Sequence, residues 1–230
     1  MSKKEHGMID SMKTTALFQK SDASLAYPYL IGYTYPWEAL GAISDVILEI
    51  GATLSTEEYD RIGEDIWISK RATVAPSAFI GGPCIICEGA EIRHCAYIRG
   101  SALVGRDAVV GNSTELKNCI LFDGVQVPHY NYVGDSILGY RSHLGAGAVT
   151  SNVKSDKSPV TVLCDGTRVE SGRKKFGAML GDFVEVGCNS VLNPGTVIGA
   201  HTNIYPRSVV RGFVPEGHIF KSQERIVKKY

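Results

Sequence analysis

The sequence predicts an all-β solenoid, a parallel β-helix built from six-residue repeats. Two runs of aliphatic residues recur at every sixth position, a small residue follows most of them after four positions, and glycine directly follows many. A period of six fits neither an α-helix, which repeats every 3.6 residues, nor a simple strand, which alternates every two. It fits a short strand followed by a tight corner, repeated. The two runs are Ile62, Ile68, Val74, Ile80, Ile86, Ile92, Ile98, Val104, Val110 and Leu116, and then Leu180, Val186, Leu192, Ile198, Ile204 and Val210.

The aliphatic and small residues of each repeat are expected to point inward, and three repeats make one triangular coil. Glycine relieves crowding where the chain turns. The coils are predicted over residues 62–214. Between the two runs lies a polar segment, residues 151–175, which we expect to leave the coil as a loop or hairpin. Loops that interrupt a regular scaffold often carry function, although a surface insertion without a role is the alternative.

The ends of the chain are predicted to form an arm, a helical cap and a tail. Residues 1–34 show no clear period and indicate an extended or loosely ordered arm. Pro36 suits the first turn of a helix, and Ser55 with Glu58 resembles a capping box for a short helix over 56–60. We expect residues 1–61 to cover the open end of the first coil, and residues 215–230 to lie on the outside of the coils. The helix after Pro36 places these apolar residues near one face: Trp37, Leu40, Ile43, Ile47 and Ile50.

Charge and composition exclude several classes of partner. The chain has 24 basic and 24 acidic residues and no net charge, which argues against nucleic acid or an anionic membrane as the main partner. No segment approaches the roughly 18 consecutive apolar residues of a membrane span. The polar start has no apolar region typical of a signal peptide, so we expect a cytoplasmic protein.

No metal site is expected. Free thiols are the default for the six cysteines of such a chain. Cys84 and Cys87 have the spacing of a zinc pair, but Cys84 is at an inward position and no second pair follows. Some trimeric β-helices that hydrate carbon dioxide hold a metal with closely spaced histidines, whereas His94, His129 and His143 are 35 and 14 residues apart.

Two cations are predicted to stack at one corner. Arg99 follows inward Ile98, and Lys117 lies eighteen residues further on, one full coil. Neighbouring levels of a β-helix are roughly 4.8 Å apart, so two unneutralised cations there would favour an anion such as a phosphate between them. The alternative is a solvated ladder of charges balanced by Glu115.

His129 is the candidate general base. It lies in a polar, aromatic stretch, and an imidazole can take a proton near neutral pH. The alternative is a hydrogen-bonded histidine on the surface or at an interface. Ideal coil counting puts His129 two corners past Lys117, so spacing alone does not bring the base and the cations together.

Three motifs resemble those of a known family. Residues 111–118 (GNSTELKN), 128–135 (PHYNYVGD) and 144–152 (LGAGAVTSN) are similar to the C-terminal acetyltransferase domain of the bifunctional enzyme that makes UDP-N-acetylglucosamine. The resemblance covers about residues 74–210, and the whole chain also resembles stand-alone proteins labelled as related pyrophosphorylases. It implies a left-handed β-helix of the hexapeptide-repeat acyltransferase family, and by analogy a homotrimer.

The resemblance also implies roles for individual residues. His129 matches the base that takes a proton from the sugar amine, and Arg99 and Lys117 match cations that hold the sugar phosphate. His143 replaces an asparagine near the amine. The positions that match further sugar contacts are Glu115, Tyr132 and Asn152. The positions that match the acetyl-CoA site are Ala146, Cys188, in place of a serine, and Pro206, in place of a small residue.

These roles imply acyl transfer, with acetyl-CoA as the co-substrate, to an amino sugar phosphate or nucleotide sugar in the metabolism of UDP-N-acetylglucosamine and related compounds. The alternative is a trimer that binds sugar phosphates or nucleotide sugars without catalysis. A nucleotidyltransferase would need the glycine-rich nucleotide loop, which this sequence lacks.

Overall fold

The computed structural model describes residues 3–229 of the chain, and side chains from residue 7 onward. The helices are α1 (Lys3–Asp10), α2 (Thr14–Leu17), α3 (Tyr27–Leu30), a 3₁₀ helix (Pro36–Gly41) and α4 (Ile43–Thr53). The strands are β1 (Tyr59–Arg61), β2 (Ile66–Ser69), β3 (Thr73–Val74), β4 (Phe79–Ile80), β5 (Cys84–Ile86), β6 (Glu91–Ile92), β7 (Tyr97–Ile98), β8 (Ala102–Val104), β9 (Val109–Asn112), β10 (Glu115–Leu121), β11 (Gln126–His129), β12 (Tyr132–Leu138), β13 (His143–Leu144), β14 (Val149–Thr150), β15 (Thr161–Cys164), β16 (Thr167–Glu170), β17 (Ala178–Leu180), β18 (Glu185–Val186), β19 (Val191–Leu192), β20 (Thr196–Ile198), β21 (Asn203–Ile204), β22 (Val209–Val210), β23 (Phe213–Val214), β24 (His218–Ser222) and β25 (Arg225–Lys228).

These strands form the predicted all-β solenoid, a left-handed parallel β-helix with three faces. The first face holds β4, β7, the starts of β10 and β12, β14, β19 and β22. The second face holds β2, β5, β8, the ends of β10 and β12, β17, β20 and β23. The third face holds β3, β6, β9, β11, β13, β18, β21 and β24. The corner between the third and first faces is called here the histidine edge, and the corner between the first and second faces the insertion edge.

The six-residue grid fills the interior. In the parallel register Leu116 lies opposite Ile98, and Ile98 opposite Ile80, so equivalent residues stack from coil to coil. From Ile86 onward every residue of both runs is buried. Ile62 is an exception, because it lies in the turn between β1 and β2 and 53% of it is exposed. The prediction that Ile62 opens the coil was therefore wrong.

The second face is apolar on both sides. Its outward side chains are as buried as its inward ones, and they are Ile85, Leu103, Ile120, Ile137, Met179 and Val197. A sheet that is apolar on both faces needs a covering layer. Helix α4 contacts β5, β8 and β10, and the 3₁₀ helix contacts β12. The N-terminal helices thus lie along the side of the solenoid, which corrects the expectation that they cap its end.

The first residues of the chain belong to the same layer. Instead of an extended arm, residues 3–30 contain three short helices, and Met12, Leu17, Phe18 and Leu30 are buried. Both carboxylate oxygens of Asp182 are used: Oδ2 accepts hydrogen bonds from the backbone N–H groups of Gln19 (2.8 Å) and Lys20 (3.0 Å), and Oδ1 accepts one from Tyr140 (2.9 Å). This buried carboxylate fastens the arm to the coils.

Antiparallel strands occur at both ends of the coil stack. The predicted helix over 56–60 is absent, and β1 instead pairs with β2, with Tyr59 opposite Ser69. The tail is likewise a strand, since β25 pairs with β24 through His218 and Lys228. Each of these strands supplies partners to backbone groups that a terminal coil would leave unpaired.

Residues 151–177 leave the coil between β14 and β17. Strands β15 and β16 form an antiparallel hairpin, with Thr161 opposite Glu170 and Cys164 opposite Thr167. All six cysteines are free. Within residues 3–229, no helix has the length and apolar character needed to cross a membrane.

Candidate functional site

The histidine edge carries the predicted base and the predicted cofactor residues, one above the other. The backbone N–H of Gly147 donates to His129 O (3.0 Å), and that of Asn189 donates to Ala146 O (2.8 Å). The N–H of Arg207 donates to Cys188 O (2.8 Å), which sets Cys188 beside Pro206. Successive levels of parallel strands are about 4.8 Å apart. His129, Ala146, Cys188 and Pro206 therefore form a column at four successive levels.

Asn131 fixes the backbone of this column. Its side chain is buried, and Nδ2 donates to Gly145 O (2.9 Å) and Ala148 O (3.0 Å). Its Oδ1 accepts from the backbone N–H of His129 (3.1 Å). The amide thus ties the corner of His129 to that of Ala146. No role was predicted for Asn131 from the sequence. The one signal for it was that a polar residue stands next to a position expected to point inward.

The imidazole of His129 is open to solvent. The side chain is exposed, and no residue in the described part of the chain forms a hydrogen bond or ion pair with the ring. His94 lies on the same edge two coils earlier, and its Nδ1 is 2.6 Å from Ser77 Oγ. Of these two histidines, His129 is the one whose ring nitrogens are free to meet a ligand.

The insertion edge brings Arg99 and Lys117 to successive levels. Leu116 lies opposite Ile98, and the backbone N–H of Arg99 donates to Leu116 O (2.9 Å). However, Arg99 Nη1 lies 2.8 Å from Glu115 Oε1, and Lys117 Nζ lies 3.0 Å from Asp135 Oδ2. The two cations are thus already neutralised, so the premise of two unneutralised cations was wrong. The alternative, in which Glu115 balances the charge of the stacked cations, matches the ion pair that Arg99 forms with Glu115.

Asp135 joins three of the predicted substrate-binding residues. Its side chain is 5% exposed and accepts hydrogen bonds from Lys117 Nζ, Asn118 Nδ2 (2.9 Å) and Asn152 Nδ2 (2.5 Å). Asn152 Nδ2 also reaches the hydroxyl of Tyr132 (3.2 Å). Burial raises the pKa of Tyr132, and the carboxylates of Asp135 and Glu115 raise it further. Lys117, Tyr132 and Asn152 form one polar cluster around Asp135, to which sequence reasoning assigned no role.

A basic cavity opens beside this cluster. Its volume is about 330 Å³, and Asn118, Asp135 and residues 172–175 contribute to its lining. Arg173 donates from Nη2 to the backbone oxygen of Glu38, while Lys174 and Lys175 are exposed. Exposed cations beside hydrogen-bonding amides are a suitable environment for a phosphate or another anion.

His143 lies apart from both groups. It is on the third face, opposite Gln126 and Glu185, and its Nδ1 is 2.8 Å from Glu185 Oε2. The polar cluster and the histidine edge are also separated, because the first-face segment from Asn131 to Asp135 runs between them. Four residues of strand span roughly 13 Å. One copy of the chain therefore presents the predicted base and the predicted sugar-binding cluster on neighbouring edges, without direct contact.

No group of three or more histidine, cysteine or acidic side chains within the described residues has a geometry that could hold a metal ion.

Residues 80–174 match the family model of the GMPPB C-terminal domain. The bifunctional protein GlmU of Methanococcus vannielii is 36% identical over 197 residues, which cover 84% of this chain and 47% of that protein. The bifunctional sugar-1-phosphate nucleotidylyltransferase/acetyltransferase of Sulfurisphaera tokodaii is 35% identical over 167 residues, covering 73% and 42%. The chain thus spans less than half the length of these two relatives.

Among solved structures, the acetyltransferase domain of PglB from Neisseria gonorrhoeae in complex with acetyl coenzyme A is similar at 16% identity, with a TM-score of 0.34. That match covers 83% of this chain and 67% of that one. The hexapeptide grid, the three stacked parallel faces and the relatives agree with one another. The chain is a left-handed parallel β-helix with hexapeptide repeats, and it is related in sequence to one part of these bifunctional proteins.

Proposed function

We propose that the protein transfers an acetyl group from acetyl-CoA to the amino group of a sugar phosphate or nucleotide sugar. The observation that carries this proposal is the column of His129, Ala146, Cys188 and Pro206 on one edge, with the imidazole free. One relative of the chain is named a bifunctional sugar-1-phosphate nucleotidylyltransferase/acetyltransferase, and this supports the choice of acceptor.

In the proposed reaction His129 acts as the general base. It removes a proton from the amine as the nitrogen attacks the carbonyl carbon of the thioester. The new C–N bond forms, the C–S bond breaks, and the proton is passed to the departing thiolate of CoA. A base that is open to solvent and fixed through its backbone by Asn131 can meet both substrates at the edge.

The insertion edge is the proposed binding site for the acceptor. Tyr132 and Asn152 offer a hydroxyl and an amide to the sugar, held in place by Asp135 and Lys117. Arg99 and Glu115 are more exposed, and the pair can open to a phosphate and to sugar hydroxyl groups. The exposed Lys174 and Lys175 add positive charge beside the cluster.

A trimer would complete this site. His129 and the polar cluster lie on different edges of one copy, so we propose that the histidine edge of one copy faces the insertion edge of its neighbour around a three-fold axis. The exposed apolar side chains Phe79, Tyr97 and Val209 on the first face would be covered in such an assembly.

The decisive test compares His129→Ala with wild type, using acetyl-CoA and glucosamine 1-phosphate and following the release of free CoA thiol. We expect kcat to fall by about 10²–10⁴ while sugar-phosphate binding is retained, because a base acts mainly in the transition state. His94→Ala, on the same edge, is the matched control and should keep full activity. Unchanged kcat in His129→Ala would exclude this base and leave His143, with its Glu185 partner, as the next candidate.

Mixing two inactive variants tests the shared site. His129→Ala and Asn152→Ala each damage a different half of the proposed site, so a mixed trimer would contain some interfaces with both halves intact. Partial recovery of activity after subunit exchange is expected. No recovery, in mixed trimers isolated through different affinity tags on the two variants, would contradict a site between copies.

Binding without catalysis is the second candidate, favoured by one observation. Pro206 is exposed at the end of the cofactor column, and Gly187 leaves room for its ring, since a Cβ there would lie 2.4 Å from Pro206 N. A rigid proline ring at this level reduces the space along the histidine edge in which the co-substrate would bind. Sugar-phosphate binding by wild type without any acetyl transfer would support this candidate.

A further inference from the structure

A second basic cavity lies under the inserted hairpin, away from the polar cluster around Asp135. Its volume is about 520 Å³, and it is bounded by the insertion on one side and by the insertion edge of the last coils on the other. Three cationic side chains line it: Lys154 and Arg168 from the insertion and Arg211 from the corner after β22. The proposed acyl transfer uses none of these residues.

The wall of this cavity is a fixed part of the fold. In and next to β15, Val160, Val162 and Cys164 are buried, while Thr161 and Leu163 line the cavity. The hairpin packs directly on the corners below it. A Cβ on Gly212 would lie 2.3 Å from Leu163 O, and one on Gly195 would lie 2.8 Å from Thr161 O. Glycine at these two corners, both with positive φ, lets the hairpin backbone approach so closely.

The cationic side chains carry excess charge. Within residues 3–229, the guanidinium groups of Arg168 and Arg211 have neither a hydrogen bond nor an ion pair. Lys154 Nζ is 2.5 Å from Ser158 Oγ and 3.7 Å from Asp156 Oδ2. Asp156 is the only acidic residue in the lining, so the cavity has a net formal charge of +2. Unpaired guanidinium groups around one space favour a ligand with phosphate oxygens, which match their planar fork of donors.

The rest of the lining mixes polar side chains with exposed apolar ones. Val153 is 42% exposed and Leu163 is 38% exposed, and both face this cavity together with Pro194. Exposed apolar side chains beside unpaired cations favour a ligand that combines phosphates with a less polar ring system. A volume of this size lies in the range of small-molecule sites and exceeds what inorganic phosphate would fill.

We propose that this cavity binds the diphosphate and adjoining nucleoside of a nucleoside-diphosphate ligand. Arg168 and Arg211 hold the phosphate oxygens, Lys154 adds a third positive charge, and Val153 and Leu163 contact the nucleoside. Two ligands share this chemistry: the adenosine diphosphate end of CoA and the nucleoside diphosphate of a nucleotide sugar. The site is inferred from residues outside the proposed acyl-transfer site, so it does not depend on that transfer.

Calorimetric binding to wild type and to Arg168→Gln and Arg211→Gln tests the proposal, with CoA, UDP-N-acetylglucosamine and inorganic phosphate as probes. Both arginines are exposed, so their replacement should leave the fold intact, which the melting temperature checks. At least one nucleotide probe should bind wild type and lose about tenfold or more in affinity in each variant, the effect of removing a charge-assisted contact. Lys157→Gln removes a cation from the same insertion but outside the cavity, and should bind like wild type.

The probe that loses affinity in the arginine variants identifies the ligand. An effect confined to CoA identifies the ligand as CoA, and one confined to UDP-N-acetylglucosamine identifies it as a nucleotide sugar. Unchanged affinities in both arginine variants, inorganic phosphate binding as tightly as the nucleotides, or no binding of either nucleotide at millimolar concentration would overturn the proposal. Since only binding is measured, His129→Ala should behave like wild type here, and this separates failure of the cavity from failure of the proposed acyl transfer.

Discussion

At the scale of single residues, the buried carboxylate of Asp135 decides which partner the charge of Lys117 has. A carboxylate that is 5% exposed needs a counter-charge and hydrogen-bond donors, and Lys117, Asn118 and Asn152 supply them. The charge of Lys117 is therefore used inside the protein before any ligand arrives. Arg99 forms the more exposed of the two ion pairs, so it is the cation with more freedom to exchange its carboxylate partner for a phosphate.

We predict that Lys117→Ala destabilises the fold, because it leaves Asp135 buried without its counter-charge. The expected loss is roughly 3 kcal/mol in the free energy of unfolding, at the low end for a buried pair because the Lys117 side chain is 25% exposed. Urea unfolding measures it. Lys117→Ala combined with Asp135→Asn should recover much of the loss, whereas Arg99→Ala should leave the free energy of unfolding nearly unchanged, because its ion pair is exposed to solvent. Equal stability of Lys117→Ala and wild type would contradict the role of Asp135.

The sequence predicts part of this site and misses part of it, for a physical reason. Alternation along a strand tells which side chains point outward, and it predicts this for Glu115 and Lys117. Tyr132 and Asn152 were indicated only by the resemblance to the family motifs. Alternation does not tell where a side chain points at a corner. Asn118 and Asp135 have φ values of 49° and 47°, in the left-handed region, so the simple alternation does not apply to them.

At the scale of elements, the N-terminal layer depends on a small number of polar anchors. Leu17 and Phe18 are buried, and the next two residues donate their backbone N–H groups to Asp182. Burial raises the pKa of Asp182, while the backbone hydrogen bonds from Tyr140, Gln19 and Lys20 act in the opposite direction. A carboxylate serves here because it offers acceptors on both of its oxygens.

We predict that Asp182→Asn loosens this attachment. An asparagine keeps one acceptor oxygen and turns its NH₂ group toward a backbone N–H, so at least one donor loses its partner. The expected cost is about 1–3 kcal/mol. Hydrogen exchange of residues 17–20 should become faster, with little change in the coils around Val104. Asp22→Asn, which alters an exposed carboxyl group of the same arm, is the control. Unchanged exchange at residues 17–20 in Asp182→Asn would show that the anchor is unimportant.

At the scale of elements, the coils could be predicted from the sequence, whereas the helical layer over the second face could not. The inward grid is a strong pattern, because it repeats in every hexad. The outward apolar residues Ile85, Leu103, Ile120 and Ile137 recur only once per coil, and they predict a covered face only when they are considered together. The short helices of residues 3–30 have little periodicity of their own, since their stability comes from packing against that face.

At the scale of the whole molecule, stability is shared between neighbouring coils. Val104 is fully buried and lies between Ile86 of one coil and Leu121 of the next. In a solenoid each repeat is stabilised by its neighbours, so damage in one coil weakens the contacts on both sides.

We predict that Val104→Asp lowers the melting temperature strongly, because a buried carboxylate without a partner costs several kcal/mol. Ile62→Asp is the matched control: the residue belongs to the same six-residue grid, but its side chain is 53% exposed, so its substitution should change stability by less than about 0.5 kcal/mol. Similar melting temperatures for the two variants would contradict the burial described here.

The helical layer over the second face also has a consequence for biosynthesis. The helices of residues 3–53 leave the ribosome before the strands on which they dock. The anchor on Asp182 is 163 residues away from Gln19 in the chain. Until the later coils have formed, buried residues such as Phe18 and Trp37 remain exposed on the nascent chain. Long-range contacts of this kind form late, and a chain that waits for them with apolar surface exposed is open to aggregation and to chaperones. The helical layer is therefore synthesised before the strands on which it packs, and it completes its folding after them.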